Sequence, residues 1–298
     1  DLERYEGFGV LKAINNINDE IAKEIVGKDF TQEELDNFLI NLDGTKNKNR
    51  LGANAILGVS LAFARASSAE KNMELYEYIG GLAGNSNYKI PEPMFNVING
   101  GKHADSGLDI QEFMICPNGF ETVHKQIQAG EEIITSLKKI LEEKGFSTSV
   151  GDEGGFAPKL SSNEEALNIL ISAIAFSGYT EDEIKIGLDV ASSTFYKNGS
   201  YELKIAGEKK KMDSAGMVLW YSDLITKYPI ISIEDGLSED DWDGFVDMTS
   251  KFGGRLRVVG DDLTVTNIER IKKAIEKKAI NSVIIKLNQI GTLTETIS

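Results

Sequence analysis

Cysteine, histidine and proline are scarce in this chain of 298 residues, which has one cysteine, two histidines and five prolines. With Cys116 alone no intrachain disulfide can form, and this composition suits a reducing compartment. Clustered cysteines and histidines of the kind that hold structural zinc are missing from the sequence. A nucleophilic cysteine would need a histidine partner, so we expect Cys116 simply to pack in the core.

Positive charge and long apolar runs are also in short supply. The chain carries 47 acidic against 32 basic residues, a net charge of -15, which argues against nucleic acid or an anionic membrane as the main partner. No apolar run approaches the roughly 20 residues of a membrane-spanning helix, so we expect no span. No predicted strand is followed by the G-x-G-x-x-G pattern of dinucleotide sites.

Four stretches in the C-terminal half run a few apolar, β-prone residues directly into a charged residue. They occupy residues 184–189, 230–234, 256–261 and 283–286, and end at Asp189, Glu234, Asp261 and Lys286. Short apolar runs separated by stretches of helical period indicate buried parallel strands. The charged residues are 45, 27 and 25 positions apart, and the last two spacings each suit one βα unit.

The acids at these strand ends predict a metal site. In a parallel α/β barrel the carboxyl ends of the strands meet on one face, where catalysis takes place. Asp189, Glu234 and Asp261 would supply the oxygen ligands that magnesium (Mg2+) prefers. Each acid alone could instead cap a helix or lie in a loop, but three on successive strands favour the site. Asp235 and Asp262, the second members of their acidic pairs, are expected to point away and pair with basic neighbours.

Lys286 ends an apolar strand, where an ammonium group is costly unless it is used. Beside cations and partly desolvated, its pKa would fall, which makes a lysine a general base. The alternative is a lysine paired with one of the acids for structure alone.

Two loops carry further candidates. The acidic loop of residues 151–158 is rich in glycine, which permits close approach of backbone to a ligand, and its Glu153 could donate a proton to a leaving group. Such a loop is also common on surfaces. Residues 99–103 follow a predicted strand and could bind an anionic group. His124 is expected on the surface, and Trp220 and Trp242 in the core.

The organisation along the chain predicts two domains. Residues 1–84 are mainly of helical pattern, and the loop-prone stretch at residues 80–87 is the candidate boundary. Residues 85–298 hold about six strand candidates, whereas a closed α/β barrel needs eight. A hairpin with a type I′ turn is expected at Asn198-Gly199. The predicted fold is therefore an incomplete α/β barrel, preceded by the helical part of a smaller domain.

With these residues assembled, the chain resembles the enolase family over essentially its whole length. The motifs that carry the resemblance are residues 54–60 (NAILGVS), 99–104 (NGGKHA), 111–115 (QEFMI), 151–155 (GDEGG), 187–189 (GLD), 232–235 (SIED), 260–267 (GDDLTVTN) and 285–296 (IKLNQIGTLTET). The resemblance implies an enolase-type (β/α)8 barrel, preceded by an α+β capping domain.

The resemblance also implies an activity, the dehydration of 2-phospho-D-glycerate to phosphoenolpyruvate in glycolysis. The matched magnesium ligands are Asp189, Glu234 and Asp261, the last two of which also count among the residues around the substrate. Lys286 matches the base that removes the C2 proton and contacts the substrate.

Further positions match the family's remaining site residues. Glu153 matches the acid that assists departure of the C3 hydroxide, with Glu112 as its carboxylate neighbour at the substrate. His103 and Gln111 match positions that contact the substrate. The resemblance also implies a lysine or histidine base beside one or two magnesium ions, which is a general property of this superfamily.

The chain departs from the family pattern at both ends. The N-terminal sheet with its serine-bearing loop does not precede Asp1, and a His-Arg-Ser segment and a further lysine do not occur before Ser298. We therefore expect the sequence to be an internal portion of an enolase that is inactive by itself.

Two other functions remain open from the sequence. One is another enzyme of the superfamily that acts on a carboxylate, such as a racemase or cycloisomerase; the other is an enolase-like protein kept for binding or structure. The resemblance further implies a cytoplasmic homodimer, or an octamer. Display on the cell surface with a secondary binding role, as in some family members, is a further expectation.

Overall fold

The computed structural model describes residues 4–104, 106–205 and 207–298, which form two compact units. The first contains residues up to Lys89 together with Val265–Ile268 and Ile285–Ser298, and the second contains Ile90–Thr264 and Glu269–Ile284. The first unit thus includes two short segments of the C-terminal half. The domain boundary predicted at residue 84 stays a prediction.

Helices dominate the first unit and alternate with strands in the second. The helices are α1 (Leu11–Asn15), α2 (Ala22–Ile25), α3 (Gln32–Asp43), α4 (Ala53–Glu70), α5 (Leu75–Leu82), α6 (Val123–Glu143), α7 (Asn163–Phe176), α8 (Ser214–Lys227), α9 (Trp242–Phe252), α10 (Ile268–Lys277), α11 (Leu287–Ile290) and α12 (Leu293–Ile297). The strands are β1 (Phe95–Asn99), β2 (Glu112–Cys116), β3 (Lys185–Asp189), β4 (Tyr196–Lys197), β5 (Ser200–Ile205), β6 (Glu208–Met212), β7 (Ile230–Glu234), β8 (Arg257–Gly260) and β9 (Ser282–Val283). Over the residues that the structure describes, every helix is too short or too polar to cross a bilayer.

The first unit packs α3 and α4 around a small apolar core. Leu35 and Leu39 of α3 are fully covered, as is Ile56 of α4. Thr31 caps the start of helix α3. Its hydroxyl and backbone N–H form a reciprocal capping box with Glu34, which satisfies two N–H groups that a helix start leaves unpaired.

The C-terminal segment of the chain packs into this first unit. Leu293 is buried there, and the backbone N–H and hydroxyl of Thr294 donate to Asp36 Oδ2 at 2.8 and 2.6 Å. Lys48 Nζ lies 2.9 Å from Glu295 Oε1. Apolar burial and charged contacts together therefore fix α12 against the N-terminal helices.

The second unit is built on a six-stranded sheet in the order β1-β2-β3-β7-β8-β9. Strands β3, β7, β8 and β9 are parallel, as predicted from their apolar runs, whereas β1, β2 and β3 pair antiparallel. Helices connect the parallel strands, so this mixed sheet agrees with an incomplete α/β barrel. The antiparallel start of the sheet was not predicted.

The strand predicted over residues 283–286 is wrong in extent. Strand β9 ends at Val283, three residues before Lys286. The backbone N–H of Lys286 donates to the Thr266 hydroxyl at 2.9 Å, and α11 begins at the next residue. The backbone N–H of Ile284 still donates to the Gly260 carbonyl at 3.0 Å, so the segment has left the β8 ladder by Lys286.

Several smaller predictions are confirmed. Asn198 and Gly199 both have positive φ, 51° and 81°, as a type I′ turn between β4 and β5 requires. Trp220, Trp242 and Cys116 are buried, and burial raises the pKa of the Cys116 thiol to about 12. This thiol therefore packs, as expected, and stays protonated at neutral pH.

Candidate functional site

Carboxylates from three neighbouring strands stand side by side at one edge of the second unit's sheet. Because β2 runs antiparallel to β3, its first residue, Glu112, pairs with Asp189, the last residue of β3. Because β3 and β7 are parallel, Asp189 also pairs with Glu234, the last residue of β7. Asp261 directly follows β8. The sheet register thus places these acidic residues next to one another at the same end of the sheet.

Asp189 is a buried carboxylate held by neutral donors. Its Oδ2 accepts from Gln111 Nε2 at 2.9 Å, and its Oδ1 accepts from the backbone N–H of Ala191 at 3.1 Å. Burial raises the pKa of Asp189 to about 7, and the nearby charges of Glu112 and Asp261 act in the same direction. A group crowded by like charges in this way is suited to a cation.

His103, Glu112 and Glu153 form a first cluster, which we call the histidine cluster. One ligand atom from each lies within 4.8 Å of those of the other two. His103 Nδ1 is 3.3 Å from Glu112 Oε1, although the pair lacks hydrogen-bond alignment. Glu153 is exposed, while His103 and Glu112 are half-buried. The cluster therefore combines an exposed acid with a shielded histidine and glutamate.

The acidic loop reaches this cluster because its glycines allow close contact. The backbone N–H of Gly151 donates to Gly155 O at 2.8 Å, and that of Asp152 donates to His103 O at 3.2 Å. A Cβ on Gly151 would lie 2.7 Å from His103 O and 2.8 Å from Asn99 Cβ, too close for any larger residue. The two loops singled out in the sequence thus pack against each other.

Asp235, Asp261 and Asp262 form a second cluster, the aspartate cluster, again with carboxylate oxygens within 4.8 Å of one another. Asp235 is buried, and its two oxygens accept from the backbone N–H groups of Asp261 at 3.0 Å and Asp262 at 2.7 Å. The expectation of a basic partner for Asp235 is therefore wrong. Because the chain turns after β8, two backbone N–H groups bind the Asp235 carboxylate where a basic side chain was expected.

Burial also alters the ionisation of Asp235. Removal from water raises the pKa of its carboxyl to about 7, and the charges of Asp262 and Asp189 act in the same direction. The two backbone N–H groups lower the pKa and only partly offset the burial. Asp262, by contrast, is exposed.

The predicted ligand set of Asp189, Glu234 and Asp261 does not form either of these clusters. Among the described residues, only Asp261 of the three belongs to a group whose ligand atoms lie within 4.8 Å of one another. Ligand oxygens around magnesium lie about 2.0–2.1 Å from the ion, so binding would draw the side chains together. The set remains a prediction, supported by the shared sheet edge.

The other predicted site residues are distributed over both units. Gln111 lies beside Asp189, and its backbone N–H donates to Asp189 O at 3.0 Å. Lys286 is exposed and belongs to the first unit, where it directly precedes α11. Its role as a base therefore rests on the sequence.

Sequence reasoning missed the parts played by Asp235 and Thr266. Two acidic pairs end neighbouring strands, at 234–235 and 261–262. This pattern could have suggested that the carboxylate of one pair accepts hydrogen bonds from the backbone N–H groups of the other. Thr266 lies in the 260–267 motif, but the residue types there do not indicate its contacts, because these depend on a φ of +53° that a threonine rarely adopts.

Comparison with known families gives two matches. The family model described as "Enolase, C-terminal TIM barrel domain" matches residues 87–298. The model described as "Enolase, N-terminal domain" matches residues 1–79. Together they account for nearly the whole chain, and the barrel description confirms the predicted fold class.

Proposed function

Because this chain belongs to the enolase family, we propose that the enzyme containing it catalyses the reversible, magnesium-dependent dehydration of 2-phospho-D-glycerate to phosphoenolpyruvate. The family is one of lyase-type, metal-dependent enzymes. The observation that carries the proposal is the register that aligns Glu112, Asp189 and Glu234 on three adjoining strands, with Asp261 following the next.

The donor set at this edge fits a hard cation. Asp189, Glu234 and Asp261 would hold it, since all three offer carboxylate oxygens and Asp189 accepts hydrogen bonds from neutral donors. When bound, magnesium would offset the negative charge that develops on the substrate's carboxylate as its neighbouring proton is removed. Gln111 orients Asp189 through the bond to Oδ2, as groups behind a metal ligand commonly do.

Glu153 is proposed as the acid toward the C3 hydroxide. An exposed carboxyl on a glycine-rich loop can reach a ligand, and its neighbours His103 and Glu112 would bind the substrate beside it. A leaving hydroxide requires a proton, which a positioned carboxyl group supplies.

Lys286 is proposed as the base for the C2 proton. This role is supported by the match of Lys286 to the family motif alone, because Lys286 belongs to the first unit while the carboxylates belong to the second. The C2 proton is weakly acidic, since its loss adds charge to an existing anion, and so it requires both a base and compensation of that charge.

The test is an assay of the complete enzyme with 2-phosphoglycerate, followed at the absorbance of phosphoenolpyruvate. We expect turnover that stops when a chelator removes magnesium and returns when magnesium is restored. Absence of phosphoenolpyruvate at saturating magnesium and substrate would refute the proposal.

A second test separates the base from the metal site. In Lys286→Ala, exchange of the C2 proton with solvent should fall at least about 100-fold, because that exchange needs the base. Magnesium binding, measured by calorimetry, should persist, since none of the proposed ligands is altered. Unchanged exchange would remove Lys286 from its role.

Assembly and location are proposed on the family resemblance alone. We propose a cytoplasmic homodimer. An octamer is the alternative assembly that the resemblance implies, and surface or secreted display with a secondary binding role is the alternative location. Light scattering of the complete enzyme would distinguish the two assemblies, because their masses differ fourfold.

A further inference from the structure

Thr266 makes two hydrogen bonds with the segment that carries Lys286, and all of these residues belong to the first unit. Its hydroxyl accepts from the backbone N–H of Lys286 at 2.9 Å and donates to Gln289 Oε1 at 2.7 Å. Thr266 is buried, with 4% of its surface exposed. A single side-chain oxygen thus connects two separate stretches of the chain.

Gln289 closes this arrangement from the other side. Its backbone N–H donates to Lys286 O at 3.0 Å, which forms the first turn at the start of α11. Lys286 therefore has its N–H fixed by Thr266 and its C=O fixed by Gln289. With both peptide groups held, the direction in which the Lys286 side chain leaves the backbone is set.

The backbone at Thr266 is strained in order to make these contacts. Val265 and Thr266 have φ values of 45° and 53°, a region that β-branched residues rarely enter. Strain of this kind persists where surrounding contacts impose it, and it is concentrated at functional sites. An ordinary turn at this point would favour glycine or asparagine instead.

We infer that Thr266 is a positioning residue for Lys286, acting through its hydroxyl on the lysine's backbone. The inference rests on the proposed function, in which Lys286 removes the C2 proton. A base must meet its proton at hydrogen-bond distance, and an error of about 1 Å in such a group can cost on the order of 100-fold in rate. The long lysine stem needs a fixed origin, which the Thr266 hydroxyl supplies.

The experiment compares three substitutions of Thr266 in the complete enzyme. Thr266→Val removes the hydroxyl with little change of shape, Thr266→Ala removes it together with the β-branch that is strained here, and Thr266→Ser keeps it. Thr249→Val is the matched control, because the Thr249 hydroxyl likewise joins two stretches of chain, donating to the Ala279 carbonyl at 2.6 Å in the second unit.

We expect kcat and C2-proton exchange to fall together, about 10- to 100-fold, in Thr266→Val and Thr266→Ala. KM and magnesium affinity should stay within about threefold, since the proposed ligands are unchanged. Thr266→Ser and Thr249→Val should remain within about threefold of the unaltered enzyme in every constant. In a sample labelled at lysine nitrogen, the Lys286 amide should exchange its hydrogen faster in Thr266→Val and Thr266→Ala than in Thr266→Ser.

The outcomes separate the two claims. If the unaltered enzyme makes no phosphoenolpyruvate, the proposed function is wrong and the positioning role falls with it. If the enzyme is active and Thr266→Ala retains full kcat, the positioning role alone is overturned. Equal losses in Thr266→Ser and Thr266→Ala would also overturn it, because the hydroxyl would then be irrelevant.

Discussion

The histidine cluster and the aspartate cluster each gather three ionisable side chains within 4.8 Å, yet they differ in what surrounds their charges. In the aspartate cluster, the buried Asp235 has both oxygens occupied by backbone N–H groups. In the histidine cluster, Glu153 is exposed on a glycine-rich loop. The first arrangement fixes the path of the chain, and the second leaves an acid accessible to a ligand.

This contrast shows that closeness of acids does not by itself identify a functional group. Asp235 is strongly perturbed by burial, but its hydrogen bonds assign it to the architecture that presents Asp261. Glu153 is open to solvent beside a histidine and a second carboxylate, and is a better candidate for proton transfer. Substitutions that affect stability should therefore separate from those that affect catalysis.

The largest expected effect is on catalysis, in the histidine cluster. Glu153→Gln should slow dehydration about 10²- to 10⁴-fold, because it removes the proton donor for the leaving hydroxide. Exchange of the C2 proton should continue, and the free energy of unfolding should change by less than about 0.5 kcal/mol at this exposed position. Both reactions would be measured in the complete enzyme, and equal loss of both would contradict the assignment.

The next effect is on stability, in the aspartate cluster. Asp235→Ala should lower the free energy of unfolding by about 2–4 kcal/mol, because it leaves two backbone N–H groups without their acceptor. Denaturant titration measures the change. Asp240→Ala is the control, since the Asp240 side chain is 83% exposed and its loss should cost less than about 0.5 kcal/mol. Equal free energies of unfolding for the two variants would contradict the structural role assigned to Asp235.

The smallest effect concerns Gln111, which donates a hydrogen bond to Asp189, a residue outside both clusters. Gln111→Leu should weaken magnesium binding about 10-fold, because Asp189 loses the amide that orients it. Calorimetric titration with magnesium provides the measurement. An unchanged affinity would show that Asp189 either needs no such support or is not a ligand.

The sequence was sufficient to predict the parallel strands and the acids that end them. Residues 230–234 form β7 as predicted, because an apolar run between helical stretches can bury both faces only in a covered sheet. Glycine spacing likewise indicated the acidic loop, since Gly151 leaves no room for a Cβ beside His103. These features follow from local composition.

Contacts set by the backbone path could not be predicted. The antiparallel pairing that places Glu112 beside Asp189 depends on the path of the chain between β2 and β3, and no residue type determines it. The acceptor role of Asp235 requires the turn after β8, and that of Thr266 requires a positive φ at a β-branched residue. In each case one tertiary contact overrides the local preference.

The docking of the C-terminal segment on the N-terminal helices affects the order in which the protein folds. Ser60 Oγ accepts from the backbone N–H of Leu293, and Asp36 accepts from Thr294, across 233 and 258 positions of the chain. Contacts this distant in sequence close late, since a long loop must be ordered first. During synthesis on the ribosome, α3 and α4 emerge early but gain these partners only after residues 90–292 have been translated.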